Sequence, residues 1–413
     1  MLKLEVDTGV LETRIRKDFP GLARAVNGHP LVYLDSAATA QKPVSVIRRM
    51  SDFDSKEYAT VRRGSYTIGE RATAMYEDVR VQVARLLNAG RVEEIIFTGG
   101  ATHSINLVAG SWGRKFVGAG DEIIISAMEH HANIVPWQML CEEKGARLRV
   151  IPMTDDGELV MEEFGKMLGP KTKLAAVAHV SNVLGTINPV KRMAEMAHAA
   201  GAKILVDGAQ AAPHMKVDVS DIGCDFYVFS SHKIYGPTGA GVLYGKMETL
   251  ETMPPFITGG DAIETVTFEK TTFLRPPARF EAGTPPISQV IGLGEAIKYI
   301  TSVGLEWIED HEAGLLEYGT SLIGSIPGLK IFGAARRKAG IISFAVENVH
   351  PHDVVTILDR RGIAVRGGHH CAQPVMARFK VPAMTRASLA MYNNREDLNA
   401  LAGGLVEVIE VFS

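Results

Sequence analysis

The sequence lacks a cysteine framework and an excess of either charge. Its 413 residues include only three cysteines, which are widely spaced and odd in number, so a set of disulfides is not expected. A reducing compartment fits this cysteine usage better, and the expected location is cytoplasmic. The 44 basic and 47 acidic residues give a formal net charge of −3. Because no basic surface is indicated, we expect no nucleic acid among the partners.

The sequence also lacks long apolar runs. None approaches the roughly 20 residues that a membrane-spanning helix needs, so no membrane partner is expected. Residues 1–17 mix acids and bases and do not form the apolar stretch of a signal peptide. The chain is longer than a domain with a single hydrophobic core usually is, so more than one domain is predicted.

Short β-branched runs alternate with helical patterns between residues 92 and 245. The runs are EEIIF, DEIIIS, RLRVIP, LAAVAHV, KILVD, FYVFS and GVLY. This alternation predicts an α/β fold whose large domain holds a mostly parallel seven-stranded sheet flanked by helices. Ligands bind beyond the carboxyl ends of the strands in such sheets, so the residues that follow each run are candidates for chemistry.

The pattern changes near residues 280–289. A long helical stretch is predicted from Val290 through Gly314, and new strands are predicted in GIISFAV and GIAVRGG. We therefore predict a large domain over residues 28–289 and a smaller α/β domain formed by residues 1–27 and 290–413.

Two charged residues follow neighbouring predicted strands. Asp207 ends KILVD, and Lys233 lies just past FYVFS. Taken alone, Asp207 is better explained as a helix cap or a core salt-bridge partner, and Lys233 as an exposed lysine. Together they are what pyridoxal 5'-phosphate (PLP) requires, because a carboxylate keeps its pyridine nitrogen protonated and an amine forms a Schiff base.

Three other strand ends carry polar residues. A Gly-Gly turn places Thr102 where its hydroxyl and backbone N–H could bind a phosphate, although the same turn could merely reverse the chain. His130 and His131 are adjacent, and neighbouring histidines rarely bind one metal, so we expect an imidazole stacked on a flat cofactor rather than a metal site. Asn182 is a neutral donor within reach of the cofactor.

Cys371 lies in RGGHHCAQP, beside two histidines, an arginine and two glycines. From these neighbours alone, the cysteine is a metal ligand, a nucleophile or a buried thiol, and the three alternatives stay open. Cys141 and Cys224 lack such neighbours and are predicted to be core residues.

Seven motifs, in this order, are similar to those of the Suf-type (group II) cysteine desulfurases and their selenocysteine lyase relatives, which are fold-type I PLP enzymes. They are EHHANIVPW, HVSNVLGT, VDGAQ, SHKIYGPTG, FEAGTP, RGGHHCA and TRASLAMYN. The resemblance extends from YLDSAATAQKP (33–43) to the carboxyl-terminal region. It implies a homodimer that converts L-cysteine to L-alanine. The sulfur would pass to a Suf-type acceptor protein or to the iron–sulfur scaffold, for iron–sulfur cluster assembly.

The resemblance implies a role for each matching residue. Cys371 would attack the substrate sulfur and carry it as a persulfide, with Arg366 and the adjacent histidines favouring its thiolate. Arg386 would bind the substrate carboxylate, with Asn182 and Arg366 beside it. Thr284 would reach the phosphate bound to the partner subunit. The expected cofactor contacts come from the Schiff-base lysine Lys233, from Asp207 at the pyridine nitrogen, Gln210 at the phenolic oxygen, the proton carrier His130 on the ring, and Thr102, Ser230 and His232 at the phosphate.

The sequence departs from the Suf group beside this site. Residues 99–103 read GGATH where relatives commonly have R-G-T-T-E. Arg62 and Tyr66 stand where relatives often have histidines. These departures change the residues expected near the phosphate and at the dimer interface.

Three other functions are compatible with parts of the pattern. The same site could cleave the carbon–selenium bond of selenocysteine. A non-catalytic sulfur-relay or scaffold protein would keep the fold, but the set of Asp207, Lys233, Cys371 and Arg386 argues against it. An aminotransferase shares the fold, but it gives no reason for a cysteine in a glycine-flanked loop.

Overall fold

The computed structural model describes residues 8–412, so the first seven residues of the predicted segment 1–27 lie outside it. The helices are α1 (Thr8–Lys17), α2 (Val44–Asp52), α3 (Thr67–Leu86), α4 (Ala101–Val108), α5 (Arg114–Phe116), α6 (Val135–Lys144), α7 (Met161–Met167), α8 (Val190–Ala199), α9 (Val219–Ile222), α10 (Met247–Leu250), α11 (Ile287–Val303), α12 (Leu305–Gly324), α13 (Pro351–Arg360), α14 (Gln373–Phe379) and α15 (Arg395–Phe412). The strands are β1 (Ala25–Val26), β2 (His29–Pro30), β3 (Val32–Tyr33), β4 (Ile95–Thr98), β5 (Glu122–Ser126), β6 (Arg147–Ile151), β7 (Thr172–Ala178), β8 (Lys203–Asp207), β9 (Phe226–Ser230), β10 (Gly241–Gly245), β11 (Ile263–Val266), β12 (Thr271–Phe273), β13 (Leu329–Phe332), β14 (Ile341–Val346), β15 (Ile363–Ala364), β16 (Arg366–Gly368) and β17 (Met384–Ser388). Within residues 8–412, no helix combines the length and apolar character needed to cross a bilayer.

The central sheet has seven strands in the order β4-β10-β9-β8-β7-β5-β6. Its pairs are parallel except those of β10, which runs antiparallel to β4 and β9. Each of the seven predicted runs forms one of these strands. The predicted α/β fold with a mostly parallel seven-stranded sheet is therefore confirmed.

Alternate residues of the central strands pack into separate hydrophobic clusters. Leu174, Ala176 and Leu205 pack with α4 and α6 in one cluster. Ala175 and Val177 pack with α3, α8 and α11 in the other. Because successive side chains of a strand point to opposite faces, the sheet is covered on both sides, which explains why its inner strands are apolar along their length.

A second sheet has four antiparallel strands in the order β13-β14-β17-β16. Apolar residues of α12, α13 and α15 form its core. GIISFAV forms β14, whereas GIAVRGG divides into β15 and β16. β15 pairs in parallel with β3, so residues near the amino terminus join the carboxyl-terminal part of the chain.

The single helical stretch predicted from Val290 through Gly314 is wrong in one respect. It is two helices, α11 and α12, which meet at Gly304. Gly304 has a φ of +97°, and a residue with this backbone conformation cannot continue an α-helix. The apolar periodicity continues on both sides of the break, which is why the pattern does not reveal it.

Candidate active site

A cavity of about 250 Å³ lies at the carboxyl ends of β7, β8 and β9, beside the turn that follows β16. All predicted site residues except one line it: Thr102, His130, Asn182, Asp207, Gln210, Ser230, His232, Lys233, Arg366, Cys371 and Arg386. Thr284 is the exception, because it is exposed and lies before α11, outside the cavity.

Asp207 is buried at the end of β8. The backbone N–H of Ala209 donates to its Oδ1 at 3.0 Å. Burial raises the pKa of this carboxyl, whereas the positive charge of Lys233 lowers it. A Cβ on the intervening Gly208 would lie 2.1 Å from the ring of Tyr227, so this position after Asp207 requires glycine. The arrangement fits a carboxylate that pairs with a protonated ring nitrogen.

Lys233 ends the short 3₁₀ turn Ser231–Lys233 that follows β9. Burial lowers the pKa of its amine to about 8. The negative charge of Asp207 raises this pKa, and the positive charge of Arg386 lowers it. More of this amine is therefore neutral near physiological pH than of an ordinary lysine amine, which suits a nucleophile or base. Tyr235 follows closely, with a φ of +66° and edge-on contacts to Phe19 and Tyr392.

His130 caps the 3₁₀ turn His131–Asn133 that follows β5, and it lines the cavity. Its Nδ1 accepts the Ala132 N–H at 3.0 Å, so the proton of the neutral ring is on Nε2. Burial lowers the pKa of this ring to about 4, and the nearby Lys233 adds to the effect. His130 therefore presents a neutral imidazole, with a flat face and an Nε2–H donor.

The residues predicted to bind the cofactor phosphate lie near the start of α4. The N–H of Ala101 donates to Ser230 Oγ at 2.9 Å, which joins this helix to the end of β9. Gly100 adopts a φ of +141°, and Gly241 approaches so closely that a Cβ there would lie 2.3 Å from Gly100 Cα. Among the described residues, none is hydrogen-bonded to the buried His232 Nδ1. Exposed helix N–H groups and such unpaired side-chain atoms suit a phosphate.

Two of the residues that depart from the pattern implied by the resemblance, His103 and Arg62, have structural partners. His103 Nδ1 accepts the Gly99 N–H at 3.0 Å and so closes the Gly-Gly turn. Arg62 donates to the buried Glu281, which also binds Arg80. Burial alone would raise the pKa of Glu281, but the two arginines lower it. Glu281 also accepts the Phe97 N–H at 2.6 Å, so this cluster connects the FEAGTP segment to the strand before the phosphate turn.

Asp35 pairs with two arginines that line the cavity, and the sequence pattern does not reveal this partner. Arg366 donates to both of its carboxylate oxygens, at 2.9 to 3.1 Å, and Arg386 Nη2 donates at 3.2 Å. Arg386 Nη1 donates to the Asn182 carbonyl at 2.7 Å, and its buried Nε has no partner among the described residues. Burial lowers the pKa of Arg386 to about 10. The only signal in the sequence is an acidic residue within YLDSAATAQKP.

Cys371 is exposed at the cavity, whereas Cys141 and Cys224 are buried, as predicted for core residues. Burial raises the pKa of Cys141 to about 11. The Asn182 Nδ2 donates to the His370 carbonyl at 2.6 Å, so its amide holds the cysteine turn. His131 also contacts this turn, although its sequence neighbours gave no sign of that.

The residues that line the cavity fit PLP. Its lining includes the carboxylate of Asp207, the amine of Lys233 and the first residues of α4, Ala101 and Thr102. Gln210 donates to the Ala37 carbonyl at 2.7 Å, while its buried Oε1 has no partner among the residues described. Buried polar atoms are usually satisfied, so these unpaired atoms indicate a polar ligand. Residues 8–412 contain no group of three or more His, Cys, Asp or Glu side chains that could hold a metal ion.

Comparisons with known proteins are consistent with this chemistry. Residues 32–401 match the family described as Aminotransferase class-V. A cysteine desulfurase of Klebsiella pneumoniae (strain 342) is 54% identical over 396 residues, which cover 96% of this chain and 97% of that protein. A probable cysteine desulfurase of Halalkalibacterium halodurans is 51% identical over 398 residues, or 96% of this chain and 98% of that protein. The crystal structure of the cysteine desulfurase CsdA from Escherichia coli has a TM-score of 0.90 and 38% identity, and covers 97% of this chain and 98% of that one.

Proposed function

The chain belongs to the aminotransferase class-V family, and from this premise we infer that it is a PLP-dependent cysteine desulfurase. It converts L-cysteine to L-alanine. The observation that carries this function is that Lys233, Asp207 and Cys371 line one cavity, in a chain 54% identical to a cysteine desulfurase over nearly its whole length.

The proposed cofactor contacts follow from the chemistry of the cavity. PLP, when bound, supplies an electron sink for negative charge at the substrate α-carbon. Asp207 would keep the ring nitrogen protonated, and Lys233 would hold the cofactor and remove the α-proton. His130 would lie against the ring. The phosphate would be held by Thr102, Ser230 and His232, and the phenolic oxygen by Gln210.

Arg386 and Arg366 are the proposed substrate-binding cations. Both bind Asp35, and the Arg386 Nη2 contact is long at 3.2 Å. A substrate carboxylate could therefore compete with Asp35 for Arg386, whose Nε also has a free donor among the described contacts. Asn182 would assist by linking Arg386 to the cysteine turn. Its backbone carbonyl accepts from Arg386, and its side-chain amide donates to the His370 carbonyl.

Sulfur would leave the substrate by attack of the Cys371 thiolate on the substrate sulfur. The S–S bond forms as the C–S bond breaks, and the C–S electron pair stays with carbon, which takes up a proton to become the methyl group of alanine. The guanidinium groups of Arg366 and Arg386 line the same cavity as Cys371. Persulfide formation consumes no external oxidant or reductant, whereas its removal needs a thiol or an acceptor protein.

A homodimer is proposed, with Thr284 reaching the phosphate of the partner subunit. Thr284 is exposed, and the apolar side chains of Ile257, Val266 and Phe268 are also exposed nearby in sequence. Burial of such side chains would favour association. Light scattering should give twice the chain mass of 44.7 kDa, and a particle of single-chain mass that still retains PLP and activity would contradict the proposal.

The sulfur acceptor is proposed to be a Suf-type carrier or the iron–sulfur scaffold, in the cytoplasm. The three free cysteines support a reducing location. Two domains are proposed, a large one over residues 28–289 and a smaller one formed by residues 1–27 and 290–413. The separate four-stranded sheet supports this division, although β3 pairs with β15 across the boundary.

Alanine release from L-cysteine tests the function. We expect the purified yellow protein with a thiol reductant to release alanine, and a Suf-type acceptor to increase the rate. Release from selenocysteine alone would make the protein a selenocysteine lyase. A colourless protein that does not bind PLP would favour a scaffold role, and transfer of the amino group to a keto acid would indicate an aminotransferase.

A further inference from the structure

The turn that carries Cys371 has an unusual backbone. His370 and Cys371 have φ values of +52° and +54°, in the left-handed region that favours glycine. Two consecutive non-glycine residues adopt this conformation only where the surrounding structure holds them. The contacts that hold the turn therefore decide where the Cys371 thiol lies.

Three of these contacts lie at or before the Cys371 carbonyl. Asn182 Nδ2 donates to the His370 carbonyl at 2.6 Å, and His370 Nε2 donates to the Met384 carbonyl at 3.0 Å. The backbone N–H of His131 donates to the Cys371 carbonyl at 2.7 Å. This last bond does not depend on the side chain at position 131.

The fourth contact lies after Cys371 and depends on the side chain of His131. The backbone N–H of Gln373 donates to His131 Nε2 at 3.1 Å. Gln373 is the first residue of α14, and the Ala372 side chain provides no cap. The first N–H groups of a helix lack partners within the helix, so the His131 ring satisfies one of them. For Nε2 to accept, the ring must be neutral with its proton on Nδ1.

His131 therefore holds the chain at Cys371 through its backbone N–H and two residues later through its ring. It also directly follows His130, which lines the cofactor cavity. We propose that His131 is a positioning residue for sulfur transfer, whose ring accepts the Gln373 N–H and so keeps the Cys371 thiol at the cavity. The inference rests on the proposed function, since it names what fixes the proposed sulfur acceptor.

Two variants test whether position 131 needs a hydrogen-bond acceptor or only an aromatic ring. In His131→Phe a ring remains without an acceptor, and in His131→Gln an amide oxygen can reach the position of Nε2. A misplacement of about 1 Å can cost about 10²-fold in rate, so we expect His131→Phe to lower kcat for alanine release by about 10- to 100-fold. KM and the cofactor absorbance should stay near wild type, and His131→Gln should recover most of kcat.

Hydrogen exchange of the peptide that contains residues 370–374 provides a readout independent of activity. The Gln373 amide should exchange at least about tenfold faster in His131→Phe, while wild-type protein and His131→Gln stay protected. Unchanged exchange in His131→Phe would overturn the inference, as would His131→Gln being as slow as His131→Phe. Faster exchange throughout β5 as well would indicate general loss of structure and would also count against it. If wild-type protein releases no alanine, the proposed function fails, whereas the exchange comparison still decides whether the His131 ring holds the Cys371 turn.

Discussion

Replacing Lys233 by alanine is expected to lower the rate of alanine release from L-cysteine by about 10²- to 10⁴-fold. The reason is that one amine would both hold the cofactor covalently and remove the α-proton. Its pKa of about 8, set by burial, leaves it partly neutral for both tasks. The measurements are alanine formation and the visible absorbance that remains after dialysis, which should be lower in the variant.

Lys338 provides a matched control. Burial also lowers the pKa of its amine to about 8, and its Nζ donates to the Gly333 carbonyl at 2.7 Å. It lies in a different cavity, lined by His214 and Glu312 among others. Lys338→Ala should therefore keep its colour and most of its activity. A Lys233→Ala protein that retained more than about a hundredth of the wild-type rate would contradict the assigned role.

The central sheet and much of the site could be predicted because apolar runs mark the parallel strands, and the residues that follow each run lie at the ligand-binding edge of the sheet. Asp207 and Ser230 each end a run of apolar residues, and Lys233 follows shortly after. The carboxyl ends of adjacent parallel strands meet at one edge, so residues distant in sequence converge there. This prediction needs only the apolar runs and their order, both of which are present in the sequence.

Side-chain partners from distant segments could not be predicted in this way. Arg366 and Arg386 lie directly opposite each other in β16 and β17, and the register of these strands is not visible in the sequence. Like charges at opposed positions destabilise a sheet. Asp35, which lies some 331 residues before Arg366, offsets the repulsion by accepting hydrogen bonds from both arginines.

Departures from a family pattern were also hard to interpret from the sequence. Arg62 departs from the pattern that the resemblance implies, and nothing near it in sequence indicates its partner. In the structure, it shares the buried Glu281 with Arg80. An unpaired charge at Glu281 would be costly, so the two arginines form one cluster with it. The electrostatic partner of Arg62 is therefore 219 residues away in sequence.

Replacing Cys371 by alanine should remove the sulfur acceptor without disturbing the cofactor. We expect alanine release from L-cysteine to fall to background, because no other described cysteine reaches the cavity. Absorbance of the bound cofactor should be unchanged, since the proposed cofactor residues are intact. After incubation with L-cysteine and without reductant, mass spectrometry should find one added sulfur atom on the Cys371 peptide of wild-type protein and none on the variant.

Cys141→Ala is the control for Cys371→Ala, because it removes a thiol that lies outside the cavity. Cys141 is buried, and burial raises its pKa to about 11, so its thiolate is scarce at neutral pH. We expect this control to release alanine at nearly the wild-type rate. Because selenium leaves carbon more readily than sulfur, selenocysteine cleavage that survives in Cys371→Ala would mean that the cofactor site works and that only sulfur needs a protein nucleophile. Undiminished alanine release from L-cysteine by Cys371→Ala would instead show that sulfur leaves without attack by Cys371, and the persulfide step would have to be abandoned.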